Sequence, residues 1–214
     1  MSVLLHIDSS PLLETSVSRE LSRHFVAEWK ARHPYGTVIV RDLSLIDIPP
    51  VSAQWIGANF TPPAERTPEQ RTQLQLSDTL VAELQAADEY VFGVAMHNFS
   101  IPSTLKLWID QITRVGVTFA YVDRKPAGLL IGKKATFVTA SGGNYGEGTA
   151  MASLNFVQPY LSAAFGFLGV TATSFINAAN TASLMHGANR TDLLAPHFTA
   201  IRAKLAAAQT LYQG

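Results

Sequence analysis

The chain has no cysteine. That excludes disulfides, thiolate metal sites, iron–sulfur clusters and a catalytic thiol. Charge is scarce too: 15% of residues are charged, and the two signs balance at 16 each. With no basic excess, neither nucleic acid nor an anionic membrane surface is an expected partner. Low charge density and zero net charge favour self-association. Glycine first occurs at Gly36, so the G-x-G-x-x-G turn of a dinucleotide fold is missing from the first strand–helix junction. No run is long and apolar enough to span a bilayer. The opening stretch, Met1 to Pro11, lacks a basic n-region, and His6 and Asp8 interrupt its apolar run. That argues against a signal peptide and makes the cytoplasm the expected location. The six histidines have no ligand spacing, so no metal is expected. No G-x-S-x-G elbow occurs, which disfavours a serine hydrolase.

What is present is an apolar chain of 214 residues, 47% hydrophobic, enough for a large core. No repeat, low-complexity tract or composition shift divides it, so residues 1–214 read as one domain. Strand-like and helix-like segments alternate. The strand VLLHID is followed by a helix from Ser16 to about Arg32, then by the β-branched strand TVIVRDLS. Ile46–Pro68 is a proline-rich excursion with about one helical turn. Thr67, Pro68 and Glu69 open a helix that runs to about Ala86, with threonine at the cap and proline in the first turn. The strand Tyr90–Met96 and a helix from Ser103 to about Arg114 come next. GVTFAYVDRKPAGLLIGKKA is an excursion or hairpin. The strand ATFVTA, a helix or two within Met151–Phe167, the strand GVTATSFINA and a terminal helix Thr191–Tyr212 complete the chain. The pattern predicts an α/β three-layer sandwich: a five-stranded parallel sheet with helices on both faces.

In such sheets ligands sit outside the carboxyl ends of the strands, at a topological switch point. The loops to weigh are therefore the one from Asp8 to Glu20, with its run SPLLETSVSRE, and those written MHNFSIP and ASGGNYGEG. The first is rich in hydroxyls ahead of a helix. Hydroxyls and helix N-terminal amides together can bind a terminal phosphate, and the same residues serve as ordinary helix caps. Arg19 is the only cation there. The third loop has four glycines in eight residues, SGGNYGEG, which lets backbone amides approach a ligand closely or makes a flexible surface loop. The second empties an apolar strand into His97, Asn98 and Phe99, keeping flat apolar surface where a loop is usually polar. His97 alone is as well explained as a surface or capping histidine. The three loops fall where one fold would put one ligand.

Several segments carry a resemblance: the serine-rich first loop, MHNFSIPSTLKLWIDQITRVGVTFAY, GLLIGKKATFVTASGG and PYLSAAFGFLGV. Over essentially its full length the chain resembles the FMN-dependent NADH:quinone oxidoreductases known as azoreductases, which have a flavodoxin-like fold. The resemblance implies one non-covalent FMN per subunit and a homodimer with the site at its interface. It implies that Ser10, Ser16, Val17 and Ser18 bind the phosphate. Met96, His97, Asn98 and Phe99 would run along the isoalloxazine ring, and Ala140, Ser141, Gly142 and Gly143 would meet its pyrimidine end. Phe119, Tyr121 and Phe167, with Phe99 and Tyr145, would shape the substrate pocket, in part across the dimer. Many relatives have tyrosine at the position of His97 and serine at that of Ala140.

The implied reaction is ping-pong. NADH or NADPH passes a hydride to the flavin and leaves, and a quinone, azo compound or nitroaromatic then takes the electrons. No side chain need act as nucleophile, acid or base, because the cofactor carries the chemistry. Proline at position 98 would delete an amide donor to the ring. Two other classes are compatible with the same fold: an FMN electron carrier serving a protein partner, and a non-catalytic redox sensor. Zero net charge and the aromatic segments GVTFAY and GFLG argue against the carrier.

Overall fold

The computed structural model describes residues 2–210. Strand β1 (Val3–Asp8) leads to helix α1 (Val17–Arg32), then strand β2 (Thr37–Asp42), helix α2 (Ala53–Phe60) and helix α3 (Pro68–Ala86). Strand β3 (Glu89–Ala95), helix α4 (Ser103–Ile112) and a short ribbon of β4 (Phe119–Val122) and β5 (Lys125–Gly128) follow. Strand β6 (Lys134–Ala140), helix α5 (Val157–Phe167), strand β7 (Ala172–Ala178) and helix α6 (Arg190–Thr210) complete the order. The main sheet has five strands in the order β2-β1-β3-β6-β7, and every pairing in it is parallel. After β2 the chain crosses to the other side of β1, so the order reverses between β1 and β3.

Period-two alternation along each strand divides the core. Leu5, Ile7, Phe92, Val94 and Phe137 face one side, with Leu80 of α3, Trp108 of α4 and Phe165 of α5. Leu4, Val91 and Val138 face the other, with Leu21, Phe25 and Trp29 of α1 and Ile201 of α6. The expected three-layer sandwich is thus observed. Phe92 anchors the first side: its ring stacks on Phe137 at 5.0 Å and meets Phe165 and Trp108 edge-on at 5.1 and 5.7 Å. Each such pair adds about 0.5–1.5 kcal/mol beyond simple burial.

The structure differs from expectation in three places and decides between two readings in a fourth. The proline-rich excursion holds a two-turn helix, α2, whose cap is Ser52 accepting from the Trp55 amide at 3.1 Å. Its prolines flank the helix rather than interrupt it. The segment expected as an excursion or hairpin is the hairpin, turned by Asp123 and Arg124 with φ of 50° and 65°. Helix α4 stops at Ile112, before Arg114, because the Thr118 hydroxyl accepts from the Arg114 amide at 2.9 Å and donates to the Ile112 carbonyl at 2.6 Å. Strand β3 ends at Ala95, one residue before Met96, although the Met96 amide still donates to Ala140 O at 2.8 Å. The expected end of the terminal helix at Tyr212 lies outside the described residues.

Candidate active site

The loops after β1, β3 and β6 leave neighbouring strands at the same edge of the sheet. In the first, Ser16 caps α1. Its hydroxyl accepts from the Arg19 amide at 3.4 Å and lies 3.2 Å from the Ser18 hydroxyl. A helix leaves its first amides without internal partners. The cap uses that of Arg19, and the Glu20 amide takes the Ser16 carbonyl. The Val17 and Ser18 amides have no acceptor among the described residues. Ser10, Ser16 and Ser18 are buried around them. Sequence alone leaves the cap and the phosphate cradle as alternatives. Here one serine makes the cap, and the donors beside it stay free.

The loop cation is not one of those donors. Arg19 is 2% exposed and binds Asp42, Ser44 and the Ser10 carbonyl. Burial by itself would raise the Asp42 carboxyl. Hydrogen bonds from Arg19 and Ser44 together outweigh that and hold it below its ordinary value. Beneath this pair, the Ser22 hydroxyl donates to Asp8 at 2.7 Å and lies 3.0 Å from His6 Nε2.

The second loop is a two-residue turn. His97 and Ser100 exchange amide hydrogen bonds of 2.9 and 3.0 Å. Asn98 and Phe99 between them have φ of 47° and 73°. That is the left-handed pair of a type I′ turn. Asparagine tolerates it, and phenylalanine is strained there by about 1–2 kcal/mol. Proline at 98 would demand φ near −65° and destroy the turn itself, not merely remove a donor. The Asn98 and Phe99 amides find no acceptor among the described residues. The Phe99 ring is 40% exposed and meets Tyr145 edge-on at 6.0 Å. His97 is exposed, in keeping with a surface role for its ring.

In the third loop the Ser141 hydroxyl donates to Gly143 O at 2.9 Å, and the Ser141 amide is tied to Ala178 at 2.9 Å. The Gly142 and Gly143 amides have no acceptor among the described residues. A Cβ on Gly143 would stand 3.3 Å from the Tyr145 ring, so glycine lets that ring lie close over the backbone. Met96, Ala140, Ser141 and Tyr145 line one cavity of about 310 Å³. Thr139, Asn155 and Asn177 also line it, and sequence reasoning does not find them. Thr139 and Asn177 are joined by a 2.6 Å hydrogen bond. Their only signal is that each is polar and one residue from the end of an apolar strand.

The remaining aromatics stand apart. Phe119 packs against Phe167 at 4.8 Å and Tyr121 at 5.8 Å. Phe119 and Phe167 line a separate, more apolar groove of about 580 Å³, with Trp55 and Ile109. Within one chain the expected substrate-pocket residues thus form two groups, Phe99 with Tyr145 and Phe119 with Tyr121 and Phe167. Arg190, the first residue of α6, is paired with Glu20 of α1 at 2.7 Å. No cluster of three or more metal-ligating side chains occurs among the described residues. No helix there is long and apolar enough to cross a membrane.

The donor set suits a flavin mononucleotide. Neutral amides and hydroxyls at a helix N-terminus fit a phosphate dianion. The Phe99 and Tyr145 rings, in edge-on contact, offer apolar surface to a ring system, and the glycine amides of the third loop suit carbonyl and ring-nitrogen acceptors. These features are those of α/β proteins that hold a ligand along the carboxyl edge of the sheet, at the switch point. A family model described as flavodoxin-like fold matches residues 2–205. The chain is 60% identical over 184 residues to an FMN-dependent NADH:quinone oxidoreductase of Acidobacterium capsulatum, covering 86% of this chain and 89% of that one. It is 46% identical over 207 residues to FMN-dependent NADH:quinone oxidoreductase 3 of Burkholderia lata, covering 96% and 100%. Among solved structures, a Bacillus anthracis FMN-dependent NADH-azoreductase in complex with FMN superposes with a TM-score of 0.84 at 25% identity, covering 97% of this chain and 99% of that one. The chain belongs to the flavodoxin-like family that contains the FMN-dependent NADH:quinone oxidoreductases.

Proposed function

We propose that this protein is an FMN-dependent NADH:quinone oxidoreductase with azoreductase activity, working by a ping-pong cycle. The observation that carries it is the set of amides, without an acceptor among the described residues, that follow three adjacent strands: Val17 and Ser18 at the start of α1, Asn98 and Phe99 after β3, and Gly142 and Gly143 after β6. When bound, FMN supplies the hydride chemistry, accepting from NADH and donating to the second substrate. The chain's own residues bind and orient. Ser10, Ser16 and Ser18 with the α1 amides hold the phosphate. Met96, His97, Asn98 and Phe99 lie along the ring edge, and the Gly142–Gly143 amides provide fixed dipoles where negative charge gathers on reduction. Ala140 and Ser141 hold that loop to β6 and β7.

The second substrate is a planar acceptor: a quinone, an azo compound or a nitroaromatic. Flat apolar walls discriminate poorly between such molecules, so acceptor tolerance is broad. The active unit is a homodimer whose site completes at the interface. The separation of Phe119, Tyr121 and Phe167 from Tyr145 supports this, as does Tyr121, 63% exposed on its hairpin. The partner's hairpin aromatics would supply the wall that one chain leaves open.

The test is the visible spectrum after FMN loading and desalting, repeated after anaerobic NADH. Retained flavin that bleaches with NADH and recovers with a quinone supports the reductase. Retained flavin indifferent to NADH and NADPH points to an electron carrier. A protein that holds no flavin overturns the site.

A further inference from the structure

Arg19 is among the largest fully buried side chains in the molecule, and nothing in the proposed chemistry uses it. Its Nε donates to the Ser10 carbonyl at 2.7 Å. Its two terminal nitrogens grip Asp42 at 2.5 and 2.6 Å, and one also reaches the Ser44 hydroxyl at 2.7 Å. Asp42 is the last residue of β2, and the Ser44 amide and hydroxyl fix its carboxylate at 3.0 and 2.8 Å. A second carboxylate, Asp8, stands 3.7 Å away. His6 touches Asp8 but not the guanidinium.

This latch closes a loop that has little else to hold it. Leu12 and Leu13, between Ser10 and Ser16, are 63% and 45% exposed and bury no apolar anchor. Leu13 sits at a φ of 34°. Local turn bonds and the exposed Glu14–Arg23 ion pair aside, the loop is tied down at Ser9, which binds Gly93 O through its amide at 3.1 Å and its hydroxyl at 2.9 Å and accepts from Thr104 at 3.4 Å, and at Arg19. Arg19 does both remaining jobs. Its side chain fixes the Ser10 carbonyl, and its own backbone amide takes the Ser16 cap. A bidentate guanidinium–carboxylate fork fixes angle as well as distance, which a lysine ammonium does not.

Resting on the flavin reading above, we propose that Arg19 is the positioning residue of the phosphate loop. It sets Ser10 and the α1 N-terminus against the end of β2 and does not itself bind phosphate. Two carboxylates offset its charge, so its contribution is geometric. Phosphate discrimination then depends on a latch remote in sequence, at Asp42 and Ser44.

The experiment compares FMN with riboflavin, which lacks only the phosphate. Both are titrated into flavin-free protein, wild type and variants, with thermal unfolding measured alongside. The wild type prefers FMN. Arg19→Lys keeps the charge but loses the fork, and should weaken FMN by about tenfold or more while riboflavin stays within about twofold. Ser44→Ala, which leaves the fork intact, should shift the ratio the same way by about threefold. An unchanged FMN-to-riboflavin ratio in Arg19→Lys, or an equal loss of both ligands, overturns the inference. If Arg19→Lys does not fold, Ser44→Ala decides, and an unchanged ratio there overturns it. A wild type that binds neither flavin fails the cofactor reading itself, before any variant is made.

Discussion

The strain at Phe99 makes a prediction that runs against ordinary propensity. Phe99 holds φ of 73°, where an L-residue is strained by about 1–2 kcal/mol. Glycine has no such penalty but loses about 0.5–1 kcal/mol to greater freedom of the unfolded chain. Both Phe99→Ala and Phe99→Gly lose the edge-on contact with Tyr145, worth about 0.5–1.5 kcal/mol. Only glycine relieves the strain. Phe99→Gly should therefore be more stable than Phe99→Ala by about 0.5–1 kcal/mol, the difference between relief and entropy. In a chain of this length that is a shift of about 1–4 °C in melting temperature. Urea unfolding of the flavin-free variants measures it, and flavin titration runs in parallel. Both variants should weaken FMN by about two- to tenfold, through the lost ring surface. Alanine equal to or more stable than glycine would refute the strain argument. Full FMN affinity in both would refute the proposed placement of Phe99 along the flavin ring.

Other substitutions test the surrounding parts. Ser16→Ala removes the α1 cap and one phosphate donor, and should cost about 1 kcal/mol of stability in a denaturant melt. The same change should weaken FMN about tenfold and leave riboflavin nearly unchanged by titration. Gly93→Ala places a Cβ 2.2 Å from Asp8 Oδ1 and 2.9 Å from the Ser22 hydroxyl. A loss of about 1–3 kcal/mol is expected by chemical unfolding, and wild-type stability would mean the cluster yields freely. Burial raises the Tyr90 phenol well above its ordinary value of 10.0. Its stabilising contribution is complete below that pH and is lost as pH rises through and beyond it, by about 1.4 kcal/mol per unit, because the unfolded phenol ionises first. Tyr90→Phe should flatten that alkaline slope in pH-resolved unfolding curves and, by losing the 2.8 Å bond to Leu84 O, cost about 1 kcal/mol at neutral pH.

Alternation of short apolar strands with helical segments is enough to predict the five-stranded sheet, and the order of the loops is enough to single out the three that carry free amides. Other features depend on contacts that no local pattern encodes. The Asn98–Phe99 turn reads as a longer irregular loop, because a left-handed phenylalanine is invisible to propensity. Arg19 reads only as the one cation of the serine loop; its fork closes on Asp42, a partner 23 residues away at the end of β2. Helix α2 is obscured by the prolines on either side of it, although Ser52 supplies an ordinary cap. The grouping of Phe119, Tyr121 and Phe167 follows from where the β4–β5 hairpin folds back beside α5, and neither spacing nor composition carries that information.

The Gly93 carbonyl receives both the amide and the hydroxyl of Ser9, so the end of β3 grips the start of the serine loop. The glycine loop leaves from β6, the next strand across. Adjacent strands stand about 4.8 Å apart, so the serine loop and the glycine loop are roughly 10 Å apart at their origins. Backbone hydrogen bonding fixes that distance, and no side-chain exchange can stretch it. The sheet edge thus works as a calliper with fixed jaws. On the proposed flavin reading it would grade molecules by the length between an anionic tail and a flat head, and evolution of the walls could change which second substrate is admitted without altering the gauge.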